Sequence, residues 1–225
     1  MDEILKCFHG VLDEPDETLK MRKLNEQFRS IAKDVLYGGY FLVEGTKKIF
    51  IDDIEFYYHE EAENGLKDPV MYHTNDHEGK ILPYYEIGRL NLHVSGVDVT
   101  FENPVGYRAS FLIRGFHVID ENGNEKEYDP HSTHIYDEML YMGVPLGKSL
   151  EISWISEKQP GYDGFVPSGE WRQNVAEYKK DEKGKYKKVI VEGDFNDKLH
   201  FHYNKKDYVR CKRLWRFKKS NLPTK

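Results

Sequence analysis

The chain has 225 residues, 39% of them hydrophobic and 32% charged, which fits one domain able to bury a continuous core without staples. Its formal net charge of −6 and its two cysteines, Cys7 and Cys211, exclude a uniformly basic nucleic-acid binder and a disulfide framework. No apolar run approaches the ~18 residues of a membrane span, and the acidic start MDEILKCFHG does not read as a signal peptide.

Asp16 caps a helix over DETLKMRKLNEQFRSIAKDVL, in which Leu19, Leu24, Phe28, Ile31, Ala32 and Leu36 recur on one apolar face. Gly38-Gly39 ends it, with glycine expected in a left-handed cap. Tyr40 to Val43 and Lys48 to Ile51 flank Glu44-Gly45-Thr46 as a hairpin, and the second strand runs on through FIDDIEFYY. Residues 59–80 follow as a long polar loop, a length that points to function. Arg89 to Val94 and Val97 to Phe101 alternate like strands, and Ala109 to Phe116 is a mostly buried strand carrying Arg114. Glu121-Asn122-Gly123-Asn124 is a turn, and residues 129–143 are ambiguous, with a short helix around Tyr136 to Tyr141. Leu150 to Ile155 is a strand, 157–170 a loop, and Lys179 to Lys188 a charged turn or excursion. Leu199 to Phe217 alternates like closing strands. From Leu199 onward, Lys205, Lys206, Arg210, Lys212, Arg213, Arg216, Lys218, Lys219 and Lys225 stand against Asp207 alone. Interleaved with Tyr208, Trp215 and Phe217, they suit phosphate contact and base stacking, and equally a solvated strand face. The expected fold class is α+β. It is one domain over residues 1–225, with a largely antiparallel, curved or barrel-like sheet, an N-terminal helix and few other helices.

The chemistry centres on Glu55. It stands between Ile54 and Phe56 on a strand, where partial desolvation raises a carboxyl pKa and suits general-base work. Arg114 can hold that carboxylate charged, or the two can form a structural ion pair. His73 and His77 form HTNDH, but no helical periodicity supports it and Thr74 stands where a zincin glutamate would be. No metal and no cofactor are expected.

The order of motifs resembles the alkyladenine (3-methyladenine) DNA glycosylase family over roughly residues 28–118. Ala32-Lys33-Asp34-Val35-Leu36-Tyr37-Gly38 stands where that family has A-x-x-L-L-G. Ile51-Asp52-Asp53-Ile54-Glu55-Phe56-Tyr57 keeps the second Glu and the Tyr of I-x-E-x-E-A-Y. Asp68-Pro69-Val70-Met71-Tyr72-His73 matches D-P-x-x-H with one extra residue. Arg89 to Val97 replaces the aromatic strand, and Ala109-Ser110-Phe111-Leu112-Ile113-Arg114-Gly115 resembles A-V-L-I-R-A.

The resemblance implies that Glu55 activates a water and Arg114 helps to hold it. It implies that Tyr57 and His73 sandwich a nucleobase, which His93 closes over. Lys205, Lys206, Arg210, Lys212 and Arg213 would contact the nucleic acid. The expected function is hydrolysis of a nucleobase N-glycosidic bond, as in base excision repair, by a cytoplasmic enzyme. The partner would be DNA or a nucleobase-containing small molecule. Ser95-Gly96 stands where the family inserts an aromatic side chain into the duplex, and the N-terminal body is acidic. A non-catalytic module that keeps the pocket and binds nucleic acid or nucleobases is therefore the alternative.

Overall fold

The computed structural model describes residues 1–68, 71, 73–128, 132–140, 147–170, 172, 176–180, 186–190, 199–203, 206–210 and 213–219. At His77 and within 176–210 it describes the backbone alone. A short helix α1 (Asp2–Leu5) precedes α2 (Glu17–Tyr37). The Asp16 carboxylate accepts the Leu19 N–H and so satisfies one donor of the first turn. Leu24, Phe28, Ala32, Val35 and Leu36 are fully buried on the face turned to the sheet, whereas Leu19 is only half-buried. Gly38 ends α2 with φ −93°, so the left-handed cap expected from the sequence is not used. Both positions need glycine on steric grounds: a Cβ would come 2.4 Å from the Asp34 carbonyl oxygen at Gly38 and 2.2 Å from the Ile155 carbonyl oxygen at Gly39.

The strands follow in order: β1 (Gly39–Val43), β2 (Lys47–Glu60), β3 (Leu90–His93), β4 (Gly96–Thr100), β5 (Tyr107–Ile119), β6 (Glu125–Tyr128) and β7 (Ile152–Ser156). They are followed by β8 (Ala176–Lys180), β9 (Tyr186–Ile190), β10 (Leu199–Tyr203), β11 (Lys206–Arg210) and β12 (Arg216–Lys218). The β1–β2 hairpin turns at Glu44 (φ 50°) and Gly45 (φ 70°), the consecutive left-handed pair that matches strand twist.

The main sheet is built on the long antiparallel pair β2–β5, registered from Lys48↔Ile119 to Glu60↔Tyr107. β1 and β12 share the outer edge of β2, and β4 and β6 share that of β5. β3 and β7 complete an antiparallel sheet that curls into a half-barrel. β8–β9 and β10–β11 form separate two-stranded sheets. Residues 179–188, read from the sequence as a turn, thus include the facing ends of β8 and β9. A one-turn helix, α3 (Asn75–Glu78), interrupts the polar 59–80 segment, which carried no helical pattern. A 3-10 turn (Ser132–His134) leads into α4 (Ile135–Leu140), as the ambiguous region allowed. No helix among the described residues is long and apolar enough to cross a membrane.

The core lies between α2 and one face of the sheet. Phe28 stacks on Phe8 at 5.5 Å and on Phe56 at 4.4 Å, and meets the edge of Trp215 at 5.1 Å. It thereby ties the N-terminal segment, α2, β2 and the C-terminal strand connection together. Phe28→Ala should cost about 3–5 kcal/mol, measured by urea unfolding. A loss below about 1 kcal/mol would show that this aromatic column does not close the core.

Candidate active site

Side chains alternate across a strand. Ile54, Phe56 and Tyr58 point into the core, so Glu55, Tyr57 and His59 occupy the opposite face of β2. Across the ladder, Glu55 is level with Leu112, Tyr57 with Ser110 and His59 with Arg108. Leu112 is in turn level with Asp98 on β4, and Glu55 with Arg216 on β12. Four strands therefore place Asp98, Leu112, Glu55 and Arg216 in one row of a polar face.

The register of β2–β5 is broken between Ile51 and Ile54. Asp53 pairs with Gly115 and Ile54 with Ile113, so Arg114 is the residue passed over. A bulge re-aims side chains, and here it accompanies Arg114 on the polar face beside Glu55. Arg114 Nη2 donates to Glu55 Oε1 at 2.8 Å, and Nε donates to Oε2 at 3.2 Å. Tyr57 Oη donates to the same Oε1 at 2.5 Å. Glu55 is fully buried, while Tyr57 is half-buried and the Arg114 side chain keeps 14% of its exposure. The parts of this trio that reach solvent are thus Arg114 and Tyr57, not the carboxylate. Burial pushes the Tyr57 phenol well above its ordinary pKa, and the Glu55 charge adds to the effect. Burial opposes the Arg114 charge, but the bonded Glu55 carboxylate outweighs it and holds the guanidinium protonated.

Two further clusters flank this trio. The fully buried Asp68 accepts from Arg172 at 2.6 and 3.3 Å and lies 3.3 Å from Arg213 Nη1. The Arg172 guanidinium sits 5.0 Å from the Tyr57 ring and 5.5 Å from Trp215. Arg213 also donates to the Lys67 carbonyl at 2.5 Å. On the other side, Arg108 donates to Glu61, to Glu102 at 2.9 Å, to the Leu82 and Pro83 carbonyls, and to Asn75 at 3.2 Å. It fastens the 73–86 segment onto β5.

Of the residues singled out in the sequence, Glu55, Arg114 and Tyr57 come together. His73 does not join them through any contact seen among the described residues. Its ring stacks on Tyr85 at 3.7 Å, and its Nδ1 lies 2.9 Å from Glu102 and 3.1 Å from Arg108. Tyr85 holds the stacking contact expected of a base. His93 sits on the edge strand, with Nε2 3.2 Å from Asp98 Oδ1 and Nδ1 accepting the Ser95 N–H at 3.3 Å.

Arg213, expected on nucleic acid, is instead buried against Lys67 and Asp68. Lys206 and Arg210 lie on β11, where the backbone alone is described, and Lys205 and Lys212 lie outside the described residues. No group of three or more His, Cys, Asp or Glu among the described residues is placed to hold a metal. A cleft of about 300 Å³ lined by Asp2, Glu3, Phe41, Leu90, Ile152 and Trp154 shares no residue with the Glu55 cluster.

Sequence reasoning missed Asp98, Arg108, Arg172 and Asp68 as a charge clamp. Arg108, Ser110, Leu112 and Arg114 did carry a signal, since two arginines at period two in an apolar strand imply a polar face. Arg172, alone in a loop, carried none. Compared with known proteins, the chain matches no family model, no curated protein and no solved structure.

His59 gives this face a pH dependence. Its Nδ1 accepts the Asp68 N–H at 3.1 Å, so Nε2 carries the proton, 3.6 Å from Asp76. Burial, helped by Lys67, lowers its pKa from 6.5 to about 4, against the opposing pull of Glu61, Asp68 and Asp76. Between those two values the unfolded chain binds a proton on this residue that the folded chain refuses. The His59 contribution therefore falls as pH drops through that window and levels off below it, by on the order of 3 kcal/mol. Urea unfolding between pH 7 and pH 4 should show a steeper loss for the wild type than for His59→Gln. Parallel curves would contradict this assignment.

Proposed function

We propose that the protein hydrolyses a nucleobase N-glycosidic bond, with Glu55 as general base. The observation that carries the reading is the Glu55–Arg114–Tyr57 contact: a fully buried carboxylate gripped by a two-pronged guanidinium and a phenol on the polar face of a curled sheet. Such a carboxylate is pre-organised for two tasks. It accepts a proton from a water, and its charge stabilises the positive charge that develops on the sugar as the bond to the base breaks. Arg114 orients Glu55 and the attacking water. Tyr57 presents its ring to the base, and His93 on β3 closes the pocket. His73 must leave Tyr85 to stack on the base, or Tyr85 takes that place.

The resemblance in motif order to alkyladenine DNA glycosylases supports the same reading. The partner is then DNA or a nucleobase-containing small molecule, and the compartment the cytoplasm. The scheme draws on neither a metal nor a cofactor.

A second reading is a non-catalytic nucleobase or nucleic-acid binding module. The direct 2.8 Å bond between Arg114 and Glu55 favours it, because no water stands between those two atoms.

The test is base release by the wild type and by Glu55→Gln, with unfolding curves confirming that both are folded. The hydrolase reading predicts a fall of roughly 10²–10⁴-fold in the variant. Nucleobase binding without any release, and unchanged by Glu55→Gln, would leave the binding module.

A further inference from the structure

The sheet runs from β3 at one end to β7 at the other, and the half-barrel is open between these two terminal strands. The cleft of about 300 Å³ lies at that seam, since Leu90 comes from β3 and Ile152 and Trp154 from β7. Phe41 of β1 adds to its apolar wall, with its ring set edge-on to Trp154 at 5.2 Å. Asp2 and Glu3 are the exposed residues of the lining.

The ladder between β1 and β7 fixes which backbone groups of β7 face away from the sheet. Glu44 N–H donates to the Glu151 carbonyl, and Glu157 N–H to the Gly38 carbonyl, both at 2.9 Å. With Val43 opposite Ile152 and Gly39 opposite Ser156, positions 151, 153, 155 and 157 are the bonded ones of this ladder. The N–H and C=O groups of Ile152, Trp154 and Ser156 therefore point away from β1, and no bond to them is made among the described residues. Such an edge accepts another strand, and natural edges guard against it with charge or proline. β6 carries Glu125, Lys126 and Glu127, all exposed, whereas β7 reads ISWIS, with neither charge nor proline.

Two of the three outward-facing residues, Ile152 and Trp154, also line the cleft. A free edge beside an apolar side-chain pocket is the arrangement by which an extended peptide adds a strand. Backbone bonds supply affinity, and the pocket selects a side chain. Charge selects further: Asp2 and Glu3 at the cleft, Glu44 and Glu151 at the start of β7, and Glu157 just past its end are all exposed. Of the neighbouring cations, Lys6 is bound to Glu3 at 2.9 Å and Lys158 lies over the Tyr162 ring. That leaves Lys148 and the Met1 amino group, whose charge burial opposes.

We propose that the seam between β3 and β7 binds an extended peptide segment of another protein. The segment adds a strand to the β7 edge, puts one large apolar side chain into the cleft, and sets basic residues against Asp2, Glu151 and Glu157. The cleft shares no residue with the Glu55 cluster, so peptide binding here is independent of chemistry there.

The experiment pans the full chain against a display library of random linear decapeptides and titrates the enriched sequences as synthetic peptides. They should combine one large apolar residue with Lys or Arg, and bind more weakly as salt rises. Ser156→Pro removes an outward N–H and keeps the bonds to β1. That variant should stay folded yet bind about fivefold more weakly, the contribution of one backbone bond. Trp154→Ala, with its folded state confirmed by unfolding curves, should weaken binding by roughly tenfold or more. N-methylation of alternate peptide amides should weaken binding on one parity only. Peptides lost on Trp154→Ala but indifferent to Ser156→Pro and to N-methylation would make the seam an apolar pocket without strand addition, and would overturn the proposal. So would a library that yields no binder, or binders that neither variant affects. A dimer of the free chain in sedimentation, dissolved by Ser156→Pro, would give the edge to a second copy and overturn a foreign partner.

Discussion

A buried charge must find a partner, and most of this architecture follows from meeting that requirement on one face of a sheet. Ordinary apolar packing holds the other face, where α2 and the aromatic column around Phe28 exclude water. The polar face is also covered, so Asp53, Glu55, Asp68, Glu102, Arg108, Arg172, Arg213 and Arg216 are all but inaccessible. Unpaired, each would cost several kcal/mol. The chain brings arginines from β5, from residue 172 and from β12 and the residues before it to meet carboxylates on β2 and in the segment after it. The pairs are thus long-range fasteners that set where loops and strands join the sheet. Replacing only one member of a pair is the disruptive change, because it leaves the other buried and charged.

Much of the fold was legible because it depends on local chemistry. Asp16 and the apolar spacing of Leu24, Phe28 and Ile31 specify α2, and Glu44-Gly45 specifies the first turn. The curled antiparallel α+β architecture follows from the succession of alternating strands. What escaped was set by tertiary context. Gly38 and Gly39 are required by close backbone neighbours, the Asp34 carbonyl and β7, rather than by a left-handed cap. α3 is a single turn, too short to show a period. The β8–β9 pairing is hidden in a lysine-rich stretch that reads as a solvated excursion.

The site was legible in part, for a definable reason. Glu55 and Tyr57 lie two apart on one strand, so their shared face is a property of sequence alone. Arg114 lies two residues beyond Leu112 and shares its face, but the β2–β5 pairing that makes Leu112 level with Glu55, and the register break between Ile51 and Ile54, are announced by no spacing. The lysine and arginine tail shows the opposite failure. Charge composition cannot tell an exposed arginine from one turned inward, and Arg213 is turned inward to Asp68. His73 likewise looked available for stacking, but its ring already lies on Tyr85.

These features give the functional account a definite geometry. Glu55 is held by partners that fix its charge and orientation, beside a half-buried phenol and in line with a second carboxylate at Asp98. Chemistry at Glu55 requires a substrate to enter from the Arg114–Tyr57 side. The most direct measurement is a crystal structure of Glu55→Gln soaked with a nucleoside. The account predicts the base against the Tyr57 ring and C1′ facing the substituted side chain across one water. A nucleoside bound away from that side chain, or an amide there whose contact with Arg114 still excludes both sugar and water, would contradict it.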